Sequence, residues 1–253
     1  MSLSGGCCPV RKIPIFIGPL SSRSRADAGR WPKPIRPDRQ PLCGAPHSRR
    51  YDAVLFDLLT ALLDSWSLWN RIAGNPEDGA RWRTAYLRRT YRAGRYRAYE
   101  AVVAEAAETS GLPRRLAGEL VSAFSRLEPW PEAPVVLAAL GRVLKLAVVT
   151  NCSERLGHVA AARTGVEFGA IVTAERAGFY KPHPLPYRTA IAALGVAPER
   201  CLYVAGSPYD LSGTAGIGLA AYWHDRIGMT APPGTPAPLR RERSLTPLLQ
   251  LIR

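Results

Sequence analysis

Tyr51-Asp52-Ala53-Val54-Leu55-Phe56-Asp57-Leu58-Leu59-Thr60-Ala61-Leu62-Leu63-Asp64 is the stretch on which the architecture turns. Its first half is a short apolar run of strand length, and the carboxylate of Asp57 stands where that strand must end. Open α/β sheets form their binding crevice at the carboxyl ends of the strands. Asp57 is therefore a candidate covalent nucleophile, and the turn after it offers the N–H groups of Leu58 and Leu59 as anion donors.

Working outward, residues 144–149, 170–172 and 201–205 have strand length and β-rich composition, with 219–223 as a fifth run. Helical patterns fall between them. Ser153 is placed to cap a helix that stops at Gly165, residues 184–194 read as a helix closed by Gly195, and Ser207-Pro208 opens a short helix toward Gly216. Strand and helix in alternation predict an α/β fold, a three-layer Rossmann-like parallel sheet covered on both faces. Residues 65–130 are too long for one crossover. Breaks at Gly74-Asn75-Pro76, Ala93-Gly94 and Gly111-Leu112-Pro113 predict three or four helices there, with Trp82 and Tyr86 on one helical face. This insert is expected to sit over the strand ends as a helical cap.

The domain plan is thus a core of residues 51–64 and 131–228, a cap of 65–130, an N-terminal extension of 1–50 and a C-terminal tail of 229–253. The tail reads as a loose end with one final turn near residues 248–252. The chain carries a net charge of +14, but residues 1–50 hold 10 Lys/Arg against 2 Asp/Glu, leaving 24 basic and 18 acidic residues, a net +6, in 51–253. With eight prolines and no helical or strand period, the extension reads as disordered. Its Arg- and Ser-rich, acid-poor composition also fits a transit peptide, which its prolines oppose.

The cysteines Cys7, Cys8, Cys43, Cys152 and Cys201, and the histidines His47, His158, His183 and His224, show no metal-ligand spacing. No metal and no cofactor are expected. The scattered cysteines make the body look reduced and cytoplasmic, and no apolar run approaches the length of a spanning helix, so no membrane partner is expected. The run Arg88, Arg89, Arg92, Arg95 and Arg97, interleaved with tyrosines, could face nucleic acid. A wet helix face that steers small anions is preferred, so no nucleic-acid partner is expected.

Four signals occur in order, each at the carboxyl end of an expected strand: Asp57, then Thr150-Asn151, then Tyr180-Lys181-Pro182, then Gly206-Ser207-Pro208-Tyr209-Asp210. The crevice rule brings them together. A carboxylate attacking an electrophile needs such neighbours. Thr150 and Asn151 can orient an anion, Lys181 supplies fixed positive charge, and Asp210 can hold that lysine or polarise water.

In this order, with a helical insert after the first, these motifs resemble those of the haloacid dehalogenase superfamily over about residues 51–226. Trp82-Arg83 followed by Leu87, Tyr187 six residues past Lys181, and Tyr222-Trp223 followed by Arg226 look most like the hydrolytic 2-haloacid dehalogenases. Two absences favour that branch. Phosphatases of the superfamily carry a second Asp two positions past the nucleophile, where Leu59 stands, and an additional acid beside the fourth-motif glycine, where Ser207 stands. A halide needs no proton to leave, so the loss of that acid is no handicap for carbon–halogen displacement.

The resemblance implies Asp57 as nucleophile, Lys181 and Asp210 as its catalytic partners, and Thr150 with Lys181 holding the substrate carboxylate. It places Asn151 near the departing halide, Tyr187 on the site wall, and Ser207 with Asp210 near the hydrolytic water. Arg71 is nearest in placement to the family's halide-binding cap arginine. Departures are Thr60-Ala61 where the family has Gly-Thr, and His183 where an Asp often follows Lys-Pro. The implied activity is a metal-independent hydrolase acting through an aspartyl ester on short 2-haloalkanoic acids, a small anionic organic substrate, and dimerisation is compatible with it. The alternatives are a Mg²⁺-dependent phosphatase-like hydrolase and a non-catalytic protein that binds an anion or a partner.

Overall fold

The computed structural model describes residues 49–252. The expected disorder of 1–50 thus lies almost wholly outside the described residues, as do Cys7, Cys8, Cys43 and His47. In chain order the elements are β1 (Ala53–Phe56), α1 (Ser65–Ala73), α2 (Pro76–Ala93), α3 (Tyr99–Thr109), α4 (Leu116–Ser122), α5 (Ala133–Gly141), β2 (Lys145–Thr150) and α6 (Glu154–Ala162). There follow β3 (Ala170–Thr173), α7 (Ala174–Ala177), α8 (Pro184–Leu194), β4 (Cys201–Ala205), α9 (Pro208–Ala215), β5 (Ala220–His224), β6 (Arg240–Glu242) and α10 (Leu248–Leu251).

The six strands form one parallel sheet in the order β3-β2-β1-β4-β5-β6. Because β1 is buried on both sides, it reads as a continuous apolar run, not an alternating one. Val54 and Phe56 enter the core shared with α5, α6 and α10, whereas Ala53 and Leu55 enter the core shared with α8 and α9. Each fully buried aliphatic or aromatic residue of this kind contributes roughly 1.5–3 kcal/mol. The expected three-layer α/β arrangement is present.

The sheet order places the active rim. From β1 the chain winds one way to β2 and β3 and the other way to β4 and β5, so β1 stands at the switch point of the sheet. Phe56 pairs with both Val148 and Val204, so the carboxyl ends of the three central strands fall within two residues of one another. Asp57, Thr150-Asn151 and Gly206-Ser207 consequently emerge side by side.

Helices α1 to α4 lie between β1 and β2 in the chain and pack on one another through Trp69, Trp82, Tyr86, Tyr99, Val102 and Phe124. Asn75 starts α2 by accepting from the Asp78 N–H at 2.9 Å, with Pro76 at the first helical position. Gly74 ends α1 at φ 92°, a conformation that favours glycine. The insert is tied to the core beside the third motif, where Tyr96 N–H donates to Gly178 O at 2.9 Å and Tyr180 N–H to Gly94 O at 2.8 Å.

Two expectations need correction. The tail 229–253 is not loose: β6 extends the sheet beyond β5, and Leu245, Leu248 and Ile252 are buried. Its strand has no apolar period because it is an edge, held by Arg241, which stacks over Trp223 at 4.1 Å and bonds Asp225. Ser153 precedes α6, but its hydroxyl donates to Glu100 at 3.2 Å and makes no cap bond; the helix ends at Ala162, before Gly165. The free N–H of Glu154 is taken by the Glu175 carboxylate at 2.6 Å. No described helix is long and apolar enough to cross a membrane.

Candidate active site

A buried ammonium organises the site. Lys181 Nζ donates to Asp57 Oδ1 at 2.8 Å and to Tyr203 OH at 2.9 Å, and lies 3.1 Å from Asp210 Oδ1. An ammonium has three donors, and these three partners use them all. The other oxygen of Asp57, Oδ2, accepts from the N–H groups of Thr60 at 3.0 Å and Ala61 at 3.1 Å. Those two donors grip the carboxylate because the chain folds back over it after β1. Leu58 is fully buried in the core and Leu59 contributes its side chain to the cavity wall.

Burial raises the energy of any ion here, but the charges are matched. Burial alone would push the Asp57 carboxyl up; the Lys181 charge and the bonds from Lys181, Ala61 and Thr60 outweigh it and hold the group below the ordinary carboxylate value. Asp57 is therefore ionised at neutral pH. Burial, reinforced by the neighbouring Asp57 charge and opposed by Lys181, pushes Asp210 upward. Lys181 is disfavoured by burial, yet the two carboxylates raise it above its usual value. The pair of acids is thus split by environment, one firmly ionised and one easier to protonate.

Asp57, Leu59, Thr60, Thr150, Asn151, Lys181, Ser207 and Asp210 line one cavity of ≈ 20 Å³, which is closed on its far side by Arg83, Tyr86, Leu87 and Tyr91 of α2. Arg83, Leu87 and Tyr91 are four residues apart, so one face of α2 presents all three. The spacing was legible in the sequence, but nothing local said which face of the helix would meet the rim.

Arg83 is the residue that sequence reasoning misplaced. The expected Arg71 is exposed on α1, outside the cavity, whereas Arg83 is 2% exposed and sits in the wall facing Asp57. Its guanidinium lies 4.6 Å over the Trp66 ring and 5.5 Å over Trp69, and Nη2 donates to Thr60 Oγ1 at 2.8 Å. Nε and Nη1 are buried with no partner. Orphaned donors on a buried cation call for an acceptor, and an anion answers both the free N–H groups and the charge.

Three other expected residues take different positions from those implied. Tyr187 stands behind the wall, with its OH donating to Asp210 Oδ1 at 2.9 Å, so it touches the site only through that carboxylate. Asn151 lines the cavity, but its side chain bridges the backbone of Lys181, accepting from N–H at 2.7 Å and donating to O at 3.2 Å. It fixes the lysine loop to the end of β2. Lys181 itself faces Asp57, Tyr203 and Asp210, leaving no donor for a substrate carboxylate in this state. Thr150 and Ser207 are in the wall as expected.

The Lys181 ammonium is the cation that this donor set holds. Only two carboxylates, Asp57 and Asp210, reach the centre, and Lys181 lies between them, bonded to the Oδ1 atom of each. Among the described residues no three His, Cys, Asp or Glu side chains converge to hold a metal.

The profile of the haloacid dehalogenase-like hydrolases matches residues 51–218. Haloacetate dehalogenase H-2 of Moraxella sp. (strain B) is 29% identical over 197 residues, 71% of this chain and 88% of the relative. The (S)-2-haloacid dehalogenase of Xanthobacter autotrophicus is 28% identical over 218 residues, 76% of this chain and 84% of its own. A shorter stretch, half of this chain, is similar to a phosphoserine phosphatase of Thermus thermophilus. Among solved structures, the L-2-haloacid dehalogenase from Xanthobacter autotrophicus with chloropropionic acid covalently bound superposes with a TM-score of 0.72. It is 23% identical and covers 80% of this chain and 98% of that one.

Proposed function

Since the chain belongs to the haloacid dehalogenase-like hydrolases, we propose that it hydrolyses the carbon–halogen bond of short 2-haloalkanoic acids through an ester on Asp57, without a divalent ion. The observation that carries this reading is Arg83: a buried guanidinium with two unpaired donors, across a small cavity from an ionised and immobilised carboxylate. Similarity to two dehalogenases over most of their length supports it.

In the first step an Asp57 oxygen attacks C2 of the acid, a C–O bond forms, and the halide departs with the electron pair of the C–halogen bond. The halide leaves unprotonated, so Leu59 at the position of the phosphatases' general acid is no obstacle. Arg83 receives the new anion. In the second step water adds to Cγ of the Asp57 ester, the bond from Cγ to the ester oxygen breaks, and a 2-hydroxy acid carrying that oxygen, a proton and an Asp57 carboxylate with one oxygen from water result. Asp210, the acid of the pair more easily protonated, and Ser207 are placed to orient that water. Residues 65–130 act as the cap that brings Arg83 to the rim.

The test is chloride release from chloroacetate and from 2-chloropropionate in chelator-treated buffer, run beside phosphate release from phosphomonoesters with Mg²⁺. Chloride without metal and no phosphate is the expected result. Phosphate release that requires Mg²⁺ would replace this reading with the phosphatase-like one, and silence on both panels would favour a non-catalytic anion-binding protein.

Gly206 supplies a second check. A Cβ there would fall on Ala61 N and come within 2.5 Å of Asp57 Oδ2 and 2.7 Å of Thr60 Cβ. Gly206→Ala is expected to shift the nucleophile and cut kcat at least ~10²-fold, with an overpacking cost of about 1–3 kcal/mol in urea melts. Wild-type kcat in this variant would show that the Asp57 loop need not be held where it is.

A further inference from the structure

The site is closed over almost nothing. A cavity of ≈ 20 Å³ holds about one water molecule, and every haloacid is larger. On the proposed dehalogenase reading, on which the following rests, substrate enters only if part of the wall moves. The candidate parts differ in how firmly they are held. The Gly94–Tyr96 segment is joined to the lysine loop by two backbone bonds, and Tyr180 OH adds a third to Arg97 O at 2.7 Å. Tyr86 OH donates to Asn151 O at 2.6 Å deep in the core, and Arg83 is bonded to Thr60.

Tyr91, nearer the end of α2, is held more lightly and closer to solvent. Its OH shares one hydrogen bond with Ser207 Oγ at 2.9 Å, and its ring stacks on Tyr209 at a centroid distance of 3.9 Å and an interplanar angle of 23°. Both rings are only half-buried. Ser207 and Tyr209 belong to the segment that opens α9 at the end of β4, so this contact bridges the helical insert and the rim directly over Asp210.

We propose that the Tyr91 ring, latched by Ser207 and Tyr209, is the gate of this site and sets the size of acid it admits, favouring a two-carbon haloacid over homologues with a 2-alkyl chain. The argument is spatial. Asp57 fixes where C2 must lie, and Arg83 fixes one pole of the substrate. A substituent on C2 then meets the apolar wall of Leu59, Leu87 and Tyr91. Leu59 is buried, whereas Leu87, one turn earlier on α2, is half-buried like Tyr91. Tyr91 is the largest of the three and spans from the insert to the rim, and it yields by breaking one bond and one stack. A longer chain keeps the gate from reclosing, so the larger acid is held weakly.

The experiment compares kcat/KM for chloride release from chloroacetate, 2-chloropropionate and 2-chlorobutanoate in wild type, Tyr91→Ala, Tyr91→Phe and Tyr209→Ala. Calorimetric binding of acetate, propanoate and butanoate to the same proteins runs in parallel. Wild type is expected to prefer the two-carbon over the four-carbon substrate by about 10²-fold, the scale of hydrophobic size exclusion. Tyr91→Ala should narrow that ratio at least tenfold, mainly through KM of the longer acid. Tyr209→Ala, which removes the stack from outside the cavity, should narrow it in the same direction and covers the case in which Tyr91→Ala fails to fold. Tyr91→Phe keeps the ring and the stack but loses the Ser207 bond, and should narrow the ratio less than either alanine variant.

Ratios unchanged in both alanine variants, or a wild type without size preference, overturn the gate while leaving dehalogenation intact. A wild type that releases no chloride, yet binds only the shortest acid until Tyr91 is removed, sustains the gate and overturns the dehalogenase reading. Failure to bind or turn over any of the acids overturns both.

Discussion

Asp57→Asn is expected to abolish chloride release, lowering kcat by at least ~10⁴-fold, the order of effect seen when a covalent nucleophile is removed. The amide is nearly isosteric and still accepts a hydrogen bond, so the loss is chemical. A neutral amide oxygen is a poor nucleophile. It also withdraws one of the two negative charges that Lys181 holds at 2.8 and 3.1 Å. Labelled water sharpens the test. In a single turnover of excess wild-type enzyme in H₂¹⁸O, the label should enter the Asp57 carboxylate, because water attacks the ester carbonyl, and the 2-hydroxy acid should carry unlabelled oxygen from Asp57. Peptide mass spectrometry reads the first, and product mass the second. Label found only in the hydroxy acid would mean that water attacks carbon directly and that Asp57 is a general base.

Lys181→Met is expected to damage the fold as well as the activity. It leaves two carboxylates buried without their counter-ion, and removing one partner of a buried ion pair costs about 3–5 kcal/mol. In wild type, Asp57 sits below its ordinary pKa, so its contribution to stability is present above the ordinary carboxylate range and lost as pH falls through the lowered value. Lys181 sits above its ordinary value, so its contribution is complete below the normal lysine range and lost as pH rises through the raised one. Asp210 is raised, and its ionisation opposes folding.

Without the ammonium, burial governs both acids and both pKa values rise. Lys181→Met should therefore gain more stability than wild type as pH falls from 7 toward 5, because in wild type only Asp210 of the two acids is raised. Urea midpoints at the two pH values measure the difference. A variant less stable at pH 5 than at pH 7 would mean that the carboxylates are not held apart by this lysine.

Asp57, Thr150, Lys181 and Asp210 were readable as site candidates because each follows a strand-length run, and a parallel sheet puts all such ends on one rim. Tyr203 was not, since a tyrosine inside an apolar strand reads as core until its hydroxyl is seen 2.9 Å from Lys181. Arg83 and Arg71 are both arginines of the insert, and the sequence does not say which one faces the nucleophile. The answer depends on how α1, the turn after it and α2 pack on the rim. Tyr187 and Asn151 were candidates for direct contact with the reacting groups, but their hydrogen bonds go to Asp210 and to the Lys181 backbone, which only the tertiary structure shows.

By itself the sequence determined what depends on periodicity and order: strand, helix, strand; a sheet buried on both faces; an insert after the first strand; an anionic centre needing a cation. Those follow from local burial patterns and from the handedness and level ends of parallel strands. Only the tertiary structure decided which face of α2 meets the rim, and so that Arg83 and Tyr91, not Arg71, close the site. The same holds for the edge strand β6, formed by residues with no apolar period. In both cases the deciding contacts join segments far apart in the chain, where helix rotation and edge pairing are set by packing partners and not by the residues' own preferences.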